Sequence, residues 1–220
     1  MSNIEQNASE NLVEKTSFTN EVKEFYTTDF KALIFTFFKQ PINGILVIFQ
    51  NRSSKSYIHA LILYVSVAVL YIIGGFMLAG DKRAYWGLSE YLKIALFPVL
   101  TMLAISVLSF GIKSVSGKIN IKDELMTGAL CGIPLGLTIP GMLIAKIFGA
   151  DNVLFFLMNP SSGGGIIIVL LFLYVFLMLI NVFQQSLKSA NTNDTLAWYL
   201  SPLCISLAIY LASKVSENLF

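Results

Sequence analysis

The stretch MTGALCGIPLGLTIPG, Met126 to Gly141, sets Gly128, Gly132 and Gly136 four residues apart, with Pro140 on the next beat and Pro134 inside the run. Glycine and proline are the two residues that most weaken a helix in water. No residue in this run is charged, and it is too apolar for a surface loop. In hydrocarbon the same residues have a use. Helices there gain little from hydrophobic burial, so close backbone approach and polar contacts between helices must hold them together. A four-residue glycine beat makes a smooth groove along one side of a helix. The fold therefore depends on whether this run lies in a membrane.

Composition says that it does. Of 220 residues, 55% are hydrophobic and 13% charged, the latter about half the usual share of a soluble domain. Mean hydropathy is +0.72. A soluble core of this size could not hide so much apolar surface. Crossing about 30 Å of hydrocarbon takes about 20 apolar residues. Charge-free runs of that order are Ala60–Gly80, Ile94–Ile112, Leu125–Ala145 and Thr195–Ser213. The run Asn152–Leu187 has 36 uncharged residues, too many for one helix and too few for two. Its interior MNPSSGGG, Met158 to Gly165, is a turn signal, so a short interfacial segment, Val153–Met158, is expected before the fourth span. The prediction is an all-α polytopic membrane protein with five spans, near 57–80, 91–112, 125–147, 164–185 and 195–215, within a transmembrane domain 57–217.

The amino-terminal part reads differently. Residues 1–26 hold five Glu against two Lys and no apolar stretch resembling a signal peptide, so a polar acidic leader, disordered or loosely helical, is expected. Over 27–56 the pattern turns amphipathic. Phe30, Leu33, Ile34, Phe37 and Phe38 fall on one helical face, with Lys31 and Lys39 beside them. Pro41 then opens a second such run through Ile42, Ile45, Leu46 and Phe49. Both are too short to span. Lying in the headgroup layer is one reading, with Lys31, Phe37, Phe38, Lys39, Arg52 and Lys55 touching the membrane surface; packing against the bundle end is the other. With the amino terminus inside, the inner segments hold Lys15, Lys23, Lys31, Lys39, Arg52, Lys55, Lys113, Lys118, Lys122 and Lys188. The outer ones hold Lys82, Arg83, Lys93, Lys146 and Lys214. Ten against five favours a cytoplasmic amino terminus and an external carboxyl terminus.

The helix-packing seam expected from the opening stretch is Gly128, Gly132, Gly136 and Pro140. Small-residue pairs at the same spacing elsewhere are its candidate partners: Gly75 with Ala79, Ala197 with Ser201, and Ala208 with Ala212. Pro98, Pro134, Pro140 and Pro202 are expected kinks. Pro134 and Pro140 free the carbonyls of Leu130 and Gly136, which need partners in neighbouring helices, in hydroxyls such as Thr138, or in water. A packing seam with a kink explains this pattern; so does a hinge or a polar cavity at mid-membrane.

Catalytic chemistry is not visible. No span carries an Asp, Glu, Lys, Arg or His in its middle third, whereas ion- or proton-driven transport usually needs a charged or readily protonated side chain there. His59 is the sole histidine and reads as an interfacial anchor, so no metal site is expected. Asn181, Gln184 and Gln185 read as interfacial polar caps of span 4. Cys131 and Cys204 read as buried small side chains. Ser161–Gly165 is glycine-rich but has no lysine to hold phosphate, and no hydrolase, nucleotide-loop or zinc-protease motif occurs. No cofactor is expected. Scattered basic residues and a net charge of +2 give no nucleic-acid footprint.

Three stretches carry a family resemblance: QPINGILVIFQN (Gln40–Asn51), GIPLGL (Gly132–Leu137) and DTLAWYLSPLCISLAIYLAS (Asp194–Ser213). With the five-span layout they resemble the Yip family (Ypt-interacting proteins) in its shorter prokaryotic form, over about residues 35–215. The resemblance implies a five-helix domain with a cytosolic amino terminus and no known catalytic residues. Eukaryotic members are linked to Rab GTPases, and the signature they carry before the first span is absent here. The functional expectation is a non-enzymatic membrane scaffold or adaptor in a bacterial cytoplasmic membrane. Its partners would be lipids and a membrane protein or a second copy of the chain. The alternative is a transport component for a neutral or lipid-like solute, through the proline-kinked spans 3 and 5. A polar mid-membrane space faced by Thr138, Tyr199, Ser201 or Ser206 would favour transport.

Overall fold

The structure is a computed structural model that describes residues 19–51, 56–115, 120–147 and 163–219. The expected interfacial segment Val153–Met158 and most of the glycine-rich turn lie outside the described residues. So do Arg52, Lys55 and residues 1–18 of the leader. The chain divides into two compact units, one up to Ile48 and one from Phe49 onward.

In the first unit, residues 19–24 are helical and lead through a π-helical turn, Phe25–Asp29, into α1, Phe30–Lys39. The end of the leader is thus ordered helix. Of the α1 template residues, Phe37 is fully buried and Phe38 exposed, and the flanking Lys31 and Lys39 are exposed as well. Helix α2, Asn43–Gln50, begins two residues after Pro41 rather than at it. The turn between them is tight. A Cβ on Gly44 would sit 2.7 Å from Thr36 Cγ2 and 2.8 Å from the Thr36 carbonyl, so this position needs a residue without a side chain.

Among the described residues of the second unit, five helices are long and apolar enough to cross a membrane. The chain is an all-α polytopic membrane protein. The first span is α3, Ser56–Ala79, and the second is α4, Leu88–Ser114. The third is split into α5, Ile121–Gly136, and α6, Thr138–Ile147. The fourth is α7, Gly163–Ser189, and the fifth is α8, Asp194–Leu219. Helices α4 and α8 run several residues past the charge-free stretches, taking in Glu90 and Lys93 at the start of α4 and Lys214 and Glu217 at the end of α8. Local caps fix the ends. Asn120 accepts from the Lys122 N–H at 3.1 Å to start α5. Gly80, at φ +54°, ends α3, and the Arg83 guanidinium donates to the Phe76 and Met77 carbonyls left open there.

The third span is the axis of the bundle. Of its membrane-length stretch 61% is buried, against 28–39% for the other four. Helix α5 packs on α3, α4 and α7, and α6 packs on α3 and α7. Helix α8 packs on α4 and α7. The remaining helices turn large apolar side chains outward, among them Val65, Val107, Leu170, Leu177 and Leu203. In water that surface would be untenable; in lipid it is solvated.

Candidate functional site

Antiparallel alternation of the spans brings the end of α4, the start of α5 and the last turn of α7 to one end of the bundle. A charged cluster is buried there. Lys113 Nζ lies 2.7 Å from Glu124 Oε2, both side chains only 1% exposed. The ammonium also donates to Ser186 Oγ at 2.6 Å. Ser109 donates to the same carboxylate oxygen at 2.6 Å, and Thr127 lies 3.2 Å from it and 2.7 Å from Ser186. The Phe49 ring stands with its centre 5.8 Å from the ammonium. A buried pair of charges persists when further hydrogen bonds support it, and hydroxyls from three helices do that here, Ser109 and Thr127 on Glu124 Oε2 and Ser186 on the Lys113 ammonium.

This cluster is what the sequence reading missed. Lys113 and Glu124 each lie one residue outside an expected span boundary, and Lys113 counts among the inner-segment cations in the orientation argument; both are buried within helices. Gln185, expected as an interfacial cap, is 3% exposed and donates to Asn181 Oδ1 at 3.2 Å. Gln185 and Ser186 are thus interior, while Asn181 and Gln184 are half-buried. A signal was available: Ser109 and Lys113 at i, i+4 share one helical face, as do Glu124 and Thr127 at i, i+3.

A second polar tier lies deeper. Tyr64 and Ser106 hydroxyls are 3.0 Å apart, and Ser106 Oγ accepts from the Gly128 N–H at 3.1 Å. That tie is possible because Gly128 has no side chain. A Cβ there would run into the Met102 carbonyl, Ser106 Oγ and Tyr64 Oη. At Gly132 it would meet Met102 Cε at 2.7 Å and Val67 Cγ2 at 2.8 Å, and at Gly136 Leu70 Cδ2 at 3.2 Å. The glycine face of the third span thus lies against the first two. Gly75 faces Ile94 and Tyr91 of α4 instead, while its neighbour Gly74 meets Ile139 of α6. Ala79, Ala197, Ser201, Ala208 and Ala212 are all buried, the last four on α8, which packs on α4 and α7 rather than along the glycine beat.

The third tier is at the break between α5 and α6. Pro134 lies inside α5, and the Leu137 N–H donates to the Pro134 carbonyl at 3.1 Å in a tightened last turn. Pro140 falls in the first turn of α6, where a missing N–H is tolerated. The interhelical tie forms at the Leu135 carbonyl, not at Leu130 or Gly136. Thr138 Oγ1 donates to it at 2.7 Å, and the Tyr71 hydroxyl sits 2.9 Å from that carbonyl and 2.7 Å from Thr138 Oγ1. Removing this hydroxyl should be measurable. Tyr71→Phe is expected to lower stability by about 1 kcal/mol, read by unfolding in detergent. An unchanged midpoint would mean that the break holds without its tie. Pro98 and Pro202, by contrast, sit within continuous helices.

Beside the break is a cavity of about 460 Å³ lined by side chains of all five spans, including Tyr71, Thr101, Thr138, Phe172, Val175 and Ile209. Its three hydroxyls have other partners: Thr101 donates to the Phe97 carbonyl at 2.9 Å, and Tyr71 and Thr138 share the tie just described. Its walls are apolar in effect. Of the other hydroxyls proposed to face a polar space, Ser201 is buried and donates to the Ala197 carbonyl at 2.6 Å, while Tyr199 and Ser206 are exposed.

No family model, no curated protein and no solved structure matches this chain. The reading of its role rests on the residues above.

Proposed function

We propose that the chain is a non-enzymatic integral membrane scaffold or adaptor of the Yip-like type, in a bacterial cytoplasmic membrane with its amino terminus in the cytosol. The observation that carries this reading is the engagement of the buried polar groups along the third span with one another. Lys113 pairs with Glu124 and Ser186, Tyr64 with Ser106, and Tyr71 with Thr138 and the Leu135 carbonyl. Such ties suit a body of fixed helix arrangement, with no row of open polar groups among the described residues to pass a hydrophilic solute. The glycine beat serves packing inside the chain, so partners would meet the outward faces of α7 and α8, the two least buried spans. Lipids and a membrane protein or a second copy are the partners proposed. The cavity favours a second reading, a carrier of a lipid-like solute.

Reconstitution separates the two. The full chain in liposomes is expected to add no glycerol permeability and no scrambling of fluorescent phospholipid over protein-free vesicles. Scrambling above that background would replace the scaffold with the carrier.

A further inference from the structure

We infer that the cavity beside the α5–α6 break is a binding site for one acyl chain of a membrane phospholipid. The inference holds whether the chain scaffolds or carries, because it concerns occupancy and not movement. The cavity has about 460 Å³, within the range of about 300–1,000 Å³ typical of small-molecule sites. Size alone does not name the occupant; the walls do. Phe97, Leu135, Met142, Phe176, Leu179 and Ile209 present hydrocarbon or thioether. The hydroxyls of Tyr71, Thr101 and Thr138 are already bonded elsewhere. A sugar, peptide or ion would bury polar groups against these walls without partners. Water is equally unsuited, since it needs several polar contacts in such a space.

An unfilled void would leave its lining without dispersion contacts. The lining residues Phe97 and Phe172 are 36% and 39% exposed, so the space borders the outward surface of helices that lie in lipid. Acyl chains are the hydrocarbon most abundant there, and mass action favours them. The third span contributes Leu135, Thr138 and Met142 to the lining, on either side of Leu137 where α5 gives way to α6.

The test places the full chain in nanodiscs of phosphatidylethanolamine and phosphatidylglycerol containing phosphatidylcholine with a diazirine within one acyl chain. After irradiation, mass spectrometry locates the label. Buried lining residues Val175 and Leu179 are expected to be labelled, together with the outward Leu203. In Val175→Phe, and separately in Ile209→Phe, the interior label should be lost while the Leu203 label stays. Hexadecane added to the wild-type chain should act the same way without any substitution, so the result does not depend on either variant folding. Label confined to outward residues in the wild-type chain would overturn the site. So would interior label that survives hexadecane and both fillings. Neither outcome bears on the scaffold reading, which the flux measurement decides.

Discussion

Lys113→Met alone is expected to destabilise the protein by about 3–5 kcal/mol, and Glu124→Leu alone by a similar amount. The double variant should recover most of the loss. The reason is the asymmetry between a pair and a single charge. Together, Lys113 and Glu124 meet at 2.7 Å, with the Ser109 and Thr127 hydroxyls on the same carboxylate oxygen and Ser186 accepting from the ammonium. Remove one, and the other stays buried without its counter-charge and shielded from solvating water. Remove both, and two apolar side chains of similar volume fill the space, which is often neutral. The coupling is read from a double-mutant cycle on unfolding in bicelles. If the double variant is as unstable as the sum of the singles, the two groups do not act as a pair.

The second large effect is at Gly128. Gly128→Ala is expected to cost about 3 kcal/mol, the upper end for overpacking, with Gly132→Ala costing less and Gly136→Ala least. The ordering follows from what the added methyl would meet. At Gly128 it meets the Met102 backbone carbonyl, which cannot rotate aside, and it displaces the Ser106–Tyr64 hydroxyl pair. At Gly132 the nearest atom is the flexible end of Met102, at 2.7 Å, and at Gly136 it is a leucine methyl at 3.2 Å. Alanine is the better helix former by about 1 kcal/mol, so any net loss reports packing. Thermal unfolding in detergent measures all three. The reverse order would remove the account of the seam.

Five spans were legible in the sequence because lipid imposes a simple rule: long stretches without charge. The same rule hid Lys113 and Glu124. A charge at the edge of an apolar run marks a boundary when it faces water. Whether it faces another charge depends on which helices stand side by side, and no single run contains that. The helical spacing of Ser109 to Lys113 and of Glu124 to Thr127 named two polar faces without saying that they meet. The glycine beat had the same limit. It marked a face of the third span, while small residues in the first and fifth spans were equally eligible neighbours. Side-chain reach across the bundle separates them, through Tyr64, Met102 and Val67 of the first two spans. The cavity was invisible for another reason: its lining comes from side chains of all five spans, so it is a matter of how the helices assemble rather than of residue type in any one run.

Solid-state NMR of the chain in bilayers, with labelled glycine, tyrosine and methionine, asks most directly where the glycine face of the third span points. Cross-peaks from Gly128 to the Tyr64 ring and from Gly132 to the Met102 methyl are expected, with no transfer from lipid acyl protons to either glycine. Lipid transfer to Gly128, Gly132 and Gly136 without those cross-peaks would place the third span at the periphery, and the bundle described here would be wrong.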